Sequence, residues 1–377
     1  MIDSLDIKNY RNLKNLRLNS LGSINLITGK NNTGKSTLLE AIAIYVTKGD
    51  VAFLYQLLGD RGENIRQTEA NKNVINSNIK ALSSLFTDRK IGFEKTDAIS
   101  IGSIENTLFG EDNSTEGSIF LRFVNYFDEI QKDNQGNVSG RRRVVLENEV
   151  DKQIGNYKIG LEIRGGNSSF IISLDEERPY RFGFKGLGHN ERLEFIRTRN
   201  IDRDINGRLW DNITLTEKEI YVIEALKIIE PNTERIAFIE ESPRERTAVI
   251  KLSNNNIVVP LKSMGDGINR ILTIILALVN ADSGFLLIDE FENGLHYTVQ
   301  EKLWNVIFNL SRKLKIQVFV TTHSEDCISG FENVLNSDSN SSNGKLIRLD
   351  NEGGMIKQVE FNAKELKIAN DNDIEIR

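Results

Sequence analysis

The stretch Gly29-Lys30-Asn31-Asn32-Thr33-Gly34-Lys35-Ser36 fits the phosphate-loop pattern G-x-x-x-x-G-K-[ST] at every defined position. Upstream, Ile24-Asn25-Leu26-Ile27-Thr28 is a short apolar run that predicts a buried strand. Downstream, Thr37-Leu38-Leu39-Glu40-Ala41-Ile42-Ala43-Ile44 predicts a helix. A strand, a glycine turn and a helix start, in that order, aim backbone N–H groups at phosphate oxygens. Lys35 adds a mobile positive charge beside the outer phosphates, and Ser36 carries a hydroxyl of the kind that ligates Mg2+.

The rest of the composition sets bounds on that reading. A chain of 377 residues accommodates roughly two domains, or one large domain with an insertion. At 39% apolar residues it has enough to build a sizeable core. The formal charge of −6 excludes a global positive field for nucleic acid or membrane, so any polyanion contact has to be a local patch. Cys327 is the single cysteine, which rules out an intrachain disulfide and reads as a small buried hydrophobe. The opening Met1-Ile2-Asp3-Ser4-Leu5-Asp6 has no signal-peptide pattern, and no apolar run is long enough for a bilayer. The expectation is a soluble, cytoplasmic protein.

Along the chain, Leu5, Ile7, Leu13, Leu16 and Leu18 alternate with polar residues and predict two strands joined near Asn9-Tyr10-Arg11-Asn12. Polar stretches at 111–117 and 131–137 punctuate strand-like runs such as Ile119–Val124, Tyr157–Ile163 and Phe170–Ile172, which suggests an antiparallel meander. Thr216-Glu217-Lys218-Glu219 has the form of a capping box before a helix ending near Pro231. Gly267–Val279 predicts a buried helix, and Phe285–Ile288 and Ile316–Val320 predict buried parallel strands. A Ser/Asn-rich loop at 336–344, a hairpin and a short charged tail close the chain.

Four further segments carry chemistry. Leu286-Leu287-Ile288-Asp289-Glu290 is an apolar strand ending in two acids, with Asp289 suited to Mg2+ and Glu290 to polarising an attacking water. Ser263-Met264-Gly265-Asp266-Gly267 precedes a helix and offers a serine and free amides to an anion. Read alone, it is equally an ordinary helix start capped by Ser263 or Asp266. Gly294-Leu295-His296 predicts a tight turn just behind the acids. Val320-Thr321-Thr322-His323-Ser324 delivers His323 to the sheet edge, beside Asp289 if the strands are neighbours.

Together these segments resemble the ABC-type ATPase domain of the OLD (overcoming lysogenization defect) family in its stand-alone form, related to RecF and SMC heads. Leu5-Asp6-Ile7-Lys8-Asn9-Tyr10-Arg11-Asn12-Leu13 is similar to the opening strand and turn of that group, and residues 260–330 resemble it in detail. The resemblance implies an α/β P-loop NTPase of ABC-ATPase head type, with a mixed sheet, an N-terminal antiparallel β-subdomain and an inserted α/β lid region. Residues 1–50 then form the N-terminal lobe, 51–235 the inserted helical and β-meander region, and 236–377 the C-terminal lobe. It implies cofactors ATP and Mg2+, held by Gly29, Lys30, Asn31, Asn32, Thr33, Gly34, Lys35, Ser36 and Thr37, with Ser36 and Asp289 on the metal. Glu290 is then the base and His323 the switch histidine, Ser263 and Gly265 act on the nucleotide of a second copy, and Arg11 lies near the nucleotide. Met264 and Asp266 depart from the transporter signature, and no Q-loop glutamine can be placed.

The implied function is a head-to-tail homodimer, or a higher even oligomer, whose ATP-driven closure acts as a switch in anti-phage defence or DNA-linked work. About fifty residues follow His323, too few for the Toprim nuclease of OLD proteins. A separately encoded effector such as a Toprim-like nuclease is therefore the expected partner, with no intrinsic nuclease. The alternative is a RecF-like ATPase that clamps DNA, for which Arg141-Arg142-Arg143 is the one dense basic run.

Overall fold

The computed structural model describes residues 1–65, 72–104, 117–132, 138–145, 157–166, 168–174, 191–198, 205–242, 245–253, 258–337, 343–372 and 376. Most of the polar stretches 111–117 and 131–137, and residues 338–342 of the Ser/Asn-rich loop, lie outside the described residues.

The fold is α/β, with one mixed sheet and two antiparallel ones. The N-terminal strands β1 (Leu5–Tyr10) and β2 (Leu13–Leu18) form a hairpin, and β3 (Ile24–Thr28) follows, buried along its whole length. Helices α1 (Lys35–Val46), α2 (Val51–Asp60) and α3 (Lys72–Ser83) come next. Strands β4 (Ile99–Gly102), β5 (Ile119–Lys132), β6 (Val138–Val144), β7 (Lys158–Gly165) and β8 (Ser168–Ser173) extend the hairpin into an antiparallel sheet of order β2-β1-β4-β5-β7-β8, with β6 against β5.

The next strand, β9 (Leu193–Ile196), leaves that sheet and becomes the outer strand of the mixed one. Helices α4 (Ile205–Asp211) and α5 (Lys218–Ile229) lead to a three-stranded antiparallel sheet of β10 (Thr233–Ser242), β11 (Glu245–Leu252) and β12 (Val258–Pro260). The chain continues through α6 (Asp266–Asn280), β13 (Phe285–Ile288), α7 (Tyr297–Leu314), β14 (Gln317–Thr321) and α8 (Glu325–Leu335). It closes with β15 (Gly344–Glu352), β16 (Met355–Phe361) and α9 (Ala363–Asp371). Residues 51–235 thus contribute to both the meander sheet and the mixed sheet.

The mixed sheet has the order β16-β15-β3-β14-β13-β9, and β15, β3, β14, β13 and β9 run parallel. Its two faces serve two cores. Ile27, Leu287, Phe319 and Ile347 point toward α1 and the meander sheet, whereas Leu26, Leu286, Ile288, Val318 and Val320 point toward the helices of the C-terminal half. Burial on both faces explains why these strands are apolar runs without alternation. All C-terminal ends of the parallel strands reach one edge, so the segments after β3, β9, β13 and β14 converge there.

Two local expectations are corrected. Thr216 does not cap the N3 amide: its hydroxyl donates to the Ile213 carbonyl and accepts from Lys218 N–H at 3.2 Å. Glu219 receives the Leu215 amide, so the helix begins at Lys218 without a side-chain cap. The charged tail contains a helix, α9, because Ala363, Leu366 and Ala369 recur every three residues and bury against the body. Arg142 and Arg143 are engaged by Asp128 and Glu129 across the β5–β6 hairpin, so charge pairing accounts for this part of the basic run. Cys327 is buried, and burial pushes its thiol far above the usual range. Among the described residues no helix is long and apolar enough to cross a membrane.

Candidate functional site

The loop between β3 and α1 wraps tightly because its glycines take conformations other residues resist. Gly29 has φ 136°, and a Cβ there would stand 2.3 Å from the Leu349 carbonyl oxygen. Thr33 pins the loop by donating to the Lys30 carbonyl at 2.8 Å. Gly34, at φ 89°, opens α1 with no side-chain cap, so the first-turn amides stay available to an anion. Lys35 curls back, its Nζ donating to the Gly29 carbonyl at 2.6 Å and the Lys30 carbonyl at 3.0 Å.

A cleft of about 880 Å³ opens at this edge. Asn31, Asn32, Gly34, Lys35, Ser36 and Thr37 line one wall, and Asp289, Glu290, Thr321 and His323 line another. Gly29, Lys30 and Thr33 shape the loop behind that wall. Arg11 also lines the cleft, although its Nε is held by Glu40 at 3.0 Å. Glu40, buried on α1, also takes Arg61 at 2.8 Å and the Tyr10 hydroxyl at 3.1 Å. Burial, reinforced by Glu40, keeps the Tyr10 phenol well above its ordinary range.

The acids are held in detail. Ser36 Oγ donates to Asp289 Oδ1 at 2.9 Å, and Thr321 Oγ1 donates to the same oxygen at 2.7 Å. Thr321 Oγ1 also accepts the Glu290 N–H at 2.9 Å. Glu290 has φ 50°, a left-handed conformation that a non-glycine residue keeps only when its surroundings enforce it. Arg270 helps enforce it: from the second turn of α6 its Nη2 donates to the carbonyls of Asp289 at 3.1 Å and Glu290 at 3.4 Å. Burial lowers the Arg270 pKa against the pull of those neighbouring acids.

β14 does lie beside β13, and it brings His323 to the cleft with its side chain half exposed. Glu292 fixes it, accepting the His323 N–H at 2.9 Å, approaching Nδ1 at 3.0 Å and accepting the Thr322 hydroxyl at 2.7 Å. Ser36 and Asp289 together present one hydroxyl and one carboxylate. Mg2+ beside a nucleotide uses few protein ligands and completes its shell with phosphate oxygens and water, so this donor pair fits it.

Ser263 and Gly265 stand apart. Both are exposed and neither lines the cleft. Ser263 Oγ donates to the Pro260 carbonyl at 2.7 Å instead of capping α6. A Cβ on Gly267 would lie 2.9 Å from the Gly294 carbonyl, so the start of α6 adjoins the turn that carries Gly294 and the exposed His296.

Sequence reasoning overlooked Arg270, Glu292, Thr321 and Glu40. Arg270 had a visible signal, a single charge inside Ile268-Asn269-Arg270-Ile271-Leu272 of an otherwise apolar helix. The middle of the cleft wall is also unforeseen. β9 ends beside Asp289, and Arg197 and Thr198 line the cleft there; no glutamine does so among the described residues.

The chain is similar to known proteins. The family model described as AAA ATPase domain matches residues 1–135 and 189–328. The chain is 26% identical over 360 residues to an "ATP/GTP phosphatase" of Helicobacter pylori, covering 89% of this chain and 88% of that protein. It is 25% identical over 372 residues to the "DNA replication and repair protein RecF" of Rickettsia typhi, covering 88% of this chain and 97% of that one. Among solved structures, an SMC head domain with an extended coiled coil bound to the C-terminal domain of ScpA, from Pyrococcus furiosus, aligns with a TM-score of 0.48 at 12% identity, covering 99% of each chain. With a family model spanning most of its length and a complete phosphate loop at the sheet edge, the chain is a nucleotide-binding member of the AAA ATPase domain family.

Proposed function

We propose that this protein is a Mg2+-dependent ATPase of the ABC type, close in kind to the stand-alone OLD proteins, whose nucleotide-driven pairing of two heads works as a switch. The observation that carries the reading is the 2.9 Å hydrogen bond from Ser36 to Asp289, which joins the phosphate loop to the acidic strand end at the position a metal would share. Mg2+ there would neutralise phosphate charge and hold the outer phosphates in register. Lys35 leaves the loop carbonyls and meets the β- and γ-phosphates. Glu290, held by Thr321 and Arg270, accepts a proton from the attacking water. His323, braced by Glu292, faces the same water and the terminal phosphate. The exposed start of α6, with Ser263 and Gly265, closes on nucleotide held by a second copy. The name of the Helicobacter pylori relative, an ATP/GTP phosphatase, extends the nucleotides to be tried from ATP to GTP.

The switch would act through a separately encoded effector, in anti-phage defence or DNA-linked work. A second reading, a RecF-like DNA clamp, draws support from the identity to RecF across 88% of this chain. It predicts nucleotide-dependent duplex binding that weakens steeply with salt. The primary test is phosphate release with ATP, GTP and Mg2+, followed by sizing of Glu290→Gln. Turnover by the parent and an ATP-dependent doubling of mass in the variant are expected. An unchanged turnover in Glu290→Gln overturns the assignment of the base.

A further inference from the structure

Among the cationic side chains at the cleft, Arg197 stands beside the acid suited to a metal and has no role in the function proposed above. β9 is the outer strand of the mixed sheet, and its register pairs Ile196 with Ile288. The Asp289 N–H donates to the Ile196 carbonyl at 2.9 Å, so Arg197 leaves the backbone alongside the metal-suited acid. Thr198 Oγ1 reaches the Asp289 carbonyl at 3.5 Å on the same flank. The guanidinium lies over the rings of Phe195 and Phe53, at 4.7 and 5.5 Å from their centroids. Only 16% of the side chain is exposed, yet it lines the cleft together with Lys35, Ser36 and Glu290.

Arg11 and Arg61 share Glu40, while Arg197 pairs with Asp60 at the end of α2 and feels the nearby Asp289. Arg197 Nε is buried without a hydrogen-bond partner. A buried guanidinium has five donors to satisfy, and an unspent one costs free energy until an acceptor arrives. A terminal phosphate supplies pairs of acceptor oxygens that a planar guanidinium can hold with two N–H bonds at once.

We propose that Arg197 is an arginine finger acting within its own chain, parked on Asp60 when no nucleotide is bound and turned onto the terminal phosphate of ATP. This inference rests on the ATP-hydrolysing reading of the site. In that reaction the water oxygen forms a bond to the γ-phosphorus while the bond to the β,γ-bridging oxygen breaks. The electron pair leaves on ADP, and the water proton passes to Glu290. Arg197 meets charge on the γ-phosphate oxygens, which ADP lacks, so it discriminates ATP from ADP as well as speeding transfer.

The test compares ATP and ADP binding and turnover in Arg197→Ala, Arg197→Gln and Arg197→Lys. ADP affinity should stay within about twofold, ATP affinity should fall about tenfold, and kcat should fall about 100-fold or more. Lysine should restore binding better than turnover, because it keeps the charge and loses the fork. Added guanidinium ion should recover part of the turnover of Arg197→Ala. If the folded variants keep both the ATP-to-ADP ratio and the turnover, the proposal is wrong. Equal loss of both nucleotides also overturns it, since that is the mark of a structural role. A parent protein that binds both nucleotides and releases no phosphate would sink the hydrolytic reading, and the ATP-to-ADP comparison would still decide the case of Arg197.

Discussion

Two helices of this protein start in the same way and end up in opposite settings. α1 is opened by Gly34 at φ 89° and α6 by Gly265 at φ 105°, and neither has a side-chain cap. A Cβ on Gly34 would meet Leu13 at 3.0 Å and Asn12 at 3.1 Å, whereas one on Gly265 would meet nothing within 4 Å. The first helix tip is walled in by its own chain, with Lys35, Ser36 and Asp289 grouped around it. The second faces outward with Ser263 beside it. Uncapped amides at a helix start attract anions in both places. The lesson is that an anion-seeking helix start becomes a site only with its surroundings, and α6 lacks them within one copy. On the proposed reading, a second copy supplies them.

The largest expected effect comes from destroying the enclosed tip. Lys35→Ala should lower ATP affinity by about 100-fold or more by calorimetry, with the thermal midpoint little changed. ATP binding at parental strength would remove the phosphate loop from the account. Next, Gly265→Asp places a charge and a Cβ at a backbone conformation suited to glycine. ATP affinity should hold within about twofold while phosphate release falls about tenfold or more and ATP-dependent pairing disappears. Retained turnover would mean that the open tip has no part in the reaction.

A smaller effect is expected from the link between the two tips. Arg270 sits on α6 and holds the carbonyls of Asp289 and Glu290. In Arg270→Met, Glu290 should lose its fixed backbone, with turnover down about tenfold and ATP affinity nearly constant. A loss of ATP binding instead would make Arg270 a prop of the cleft itself.

The smallest effect concerns β9, the strand flanking the enclosed site. Burial pushes the Glu194 carboxyl from 4.5 up to about 7, with Arg208 opposing. A raised carboxyl pKa means the folded state holds the proton longer than the unfolded one. Stability from the neutral form is therefore full below the unfolded pKa and is lost as pH rises through about 7. Glu194→Gln should flatten that slope and stabilise the protein at pH 8 by on the order of 2 kcal/mol, read by denaturant melts. A parallel pH slope in both proteins would place the titration elsewhere.

What the sequence made legible divides along similar lines. The phosphate loop, the strand before the acids and the strand before His323 are contiguous motifs on fully buried parallel strands, so local pattern and position agree. β9 is only four residues long, and its Glu194 interrupts the apolar signal, so nothing local distinguished it from a loop. Arg197, Arg270 and Glu292 act through neighbours distant in sequence: Arg197 through Asp60, Arg270 through Asp289 and Glu290, Glu292 through His323. Such partners appear only when the strand order is known. The capping box at Thr216 failed for a related reason. The Thr216 hydroxyl accepts the Lys218 N–H while donating to Ile213, and Glu219 takes the Leu215 N–H, so turn residues satisfied one another before the helix began.

The most direct test of shared, two-copy sites mixes two inactive proteins, Lys35→Ala and Gly265→Asp. In a head-to-tail pair of unlike copies, one site carries both changes and the other carries neither. The one intact site should therefore restore phosphate release, to no more than about half of the parental value per pair, saturating with the second protein, as symmetry of the pair requires. A mixture that stays as inactive as its components, with mixed pairs detected by mass, would contradict the two-copy site.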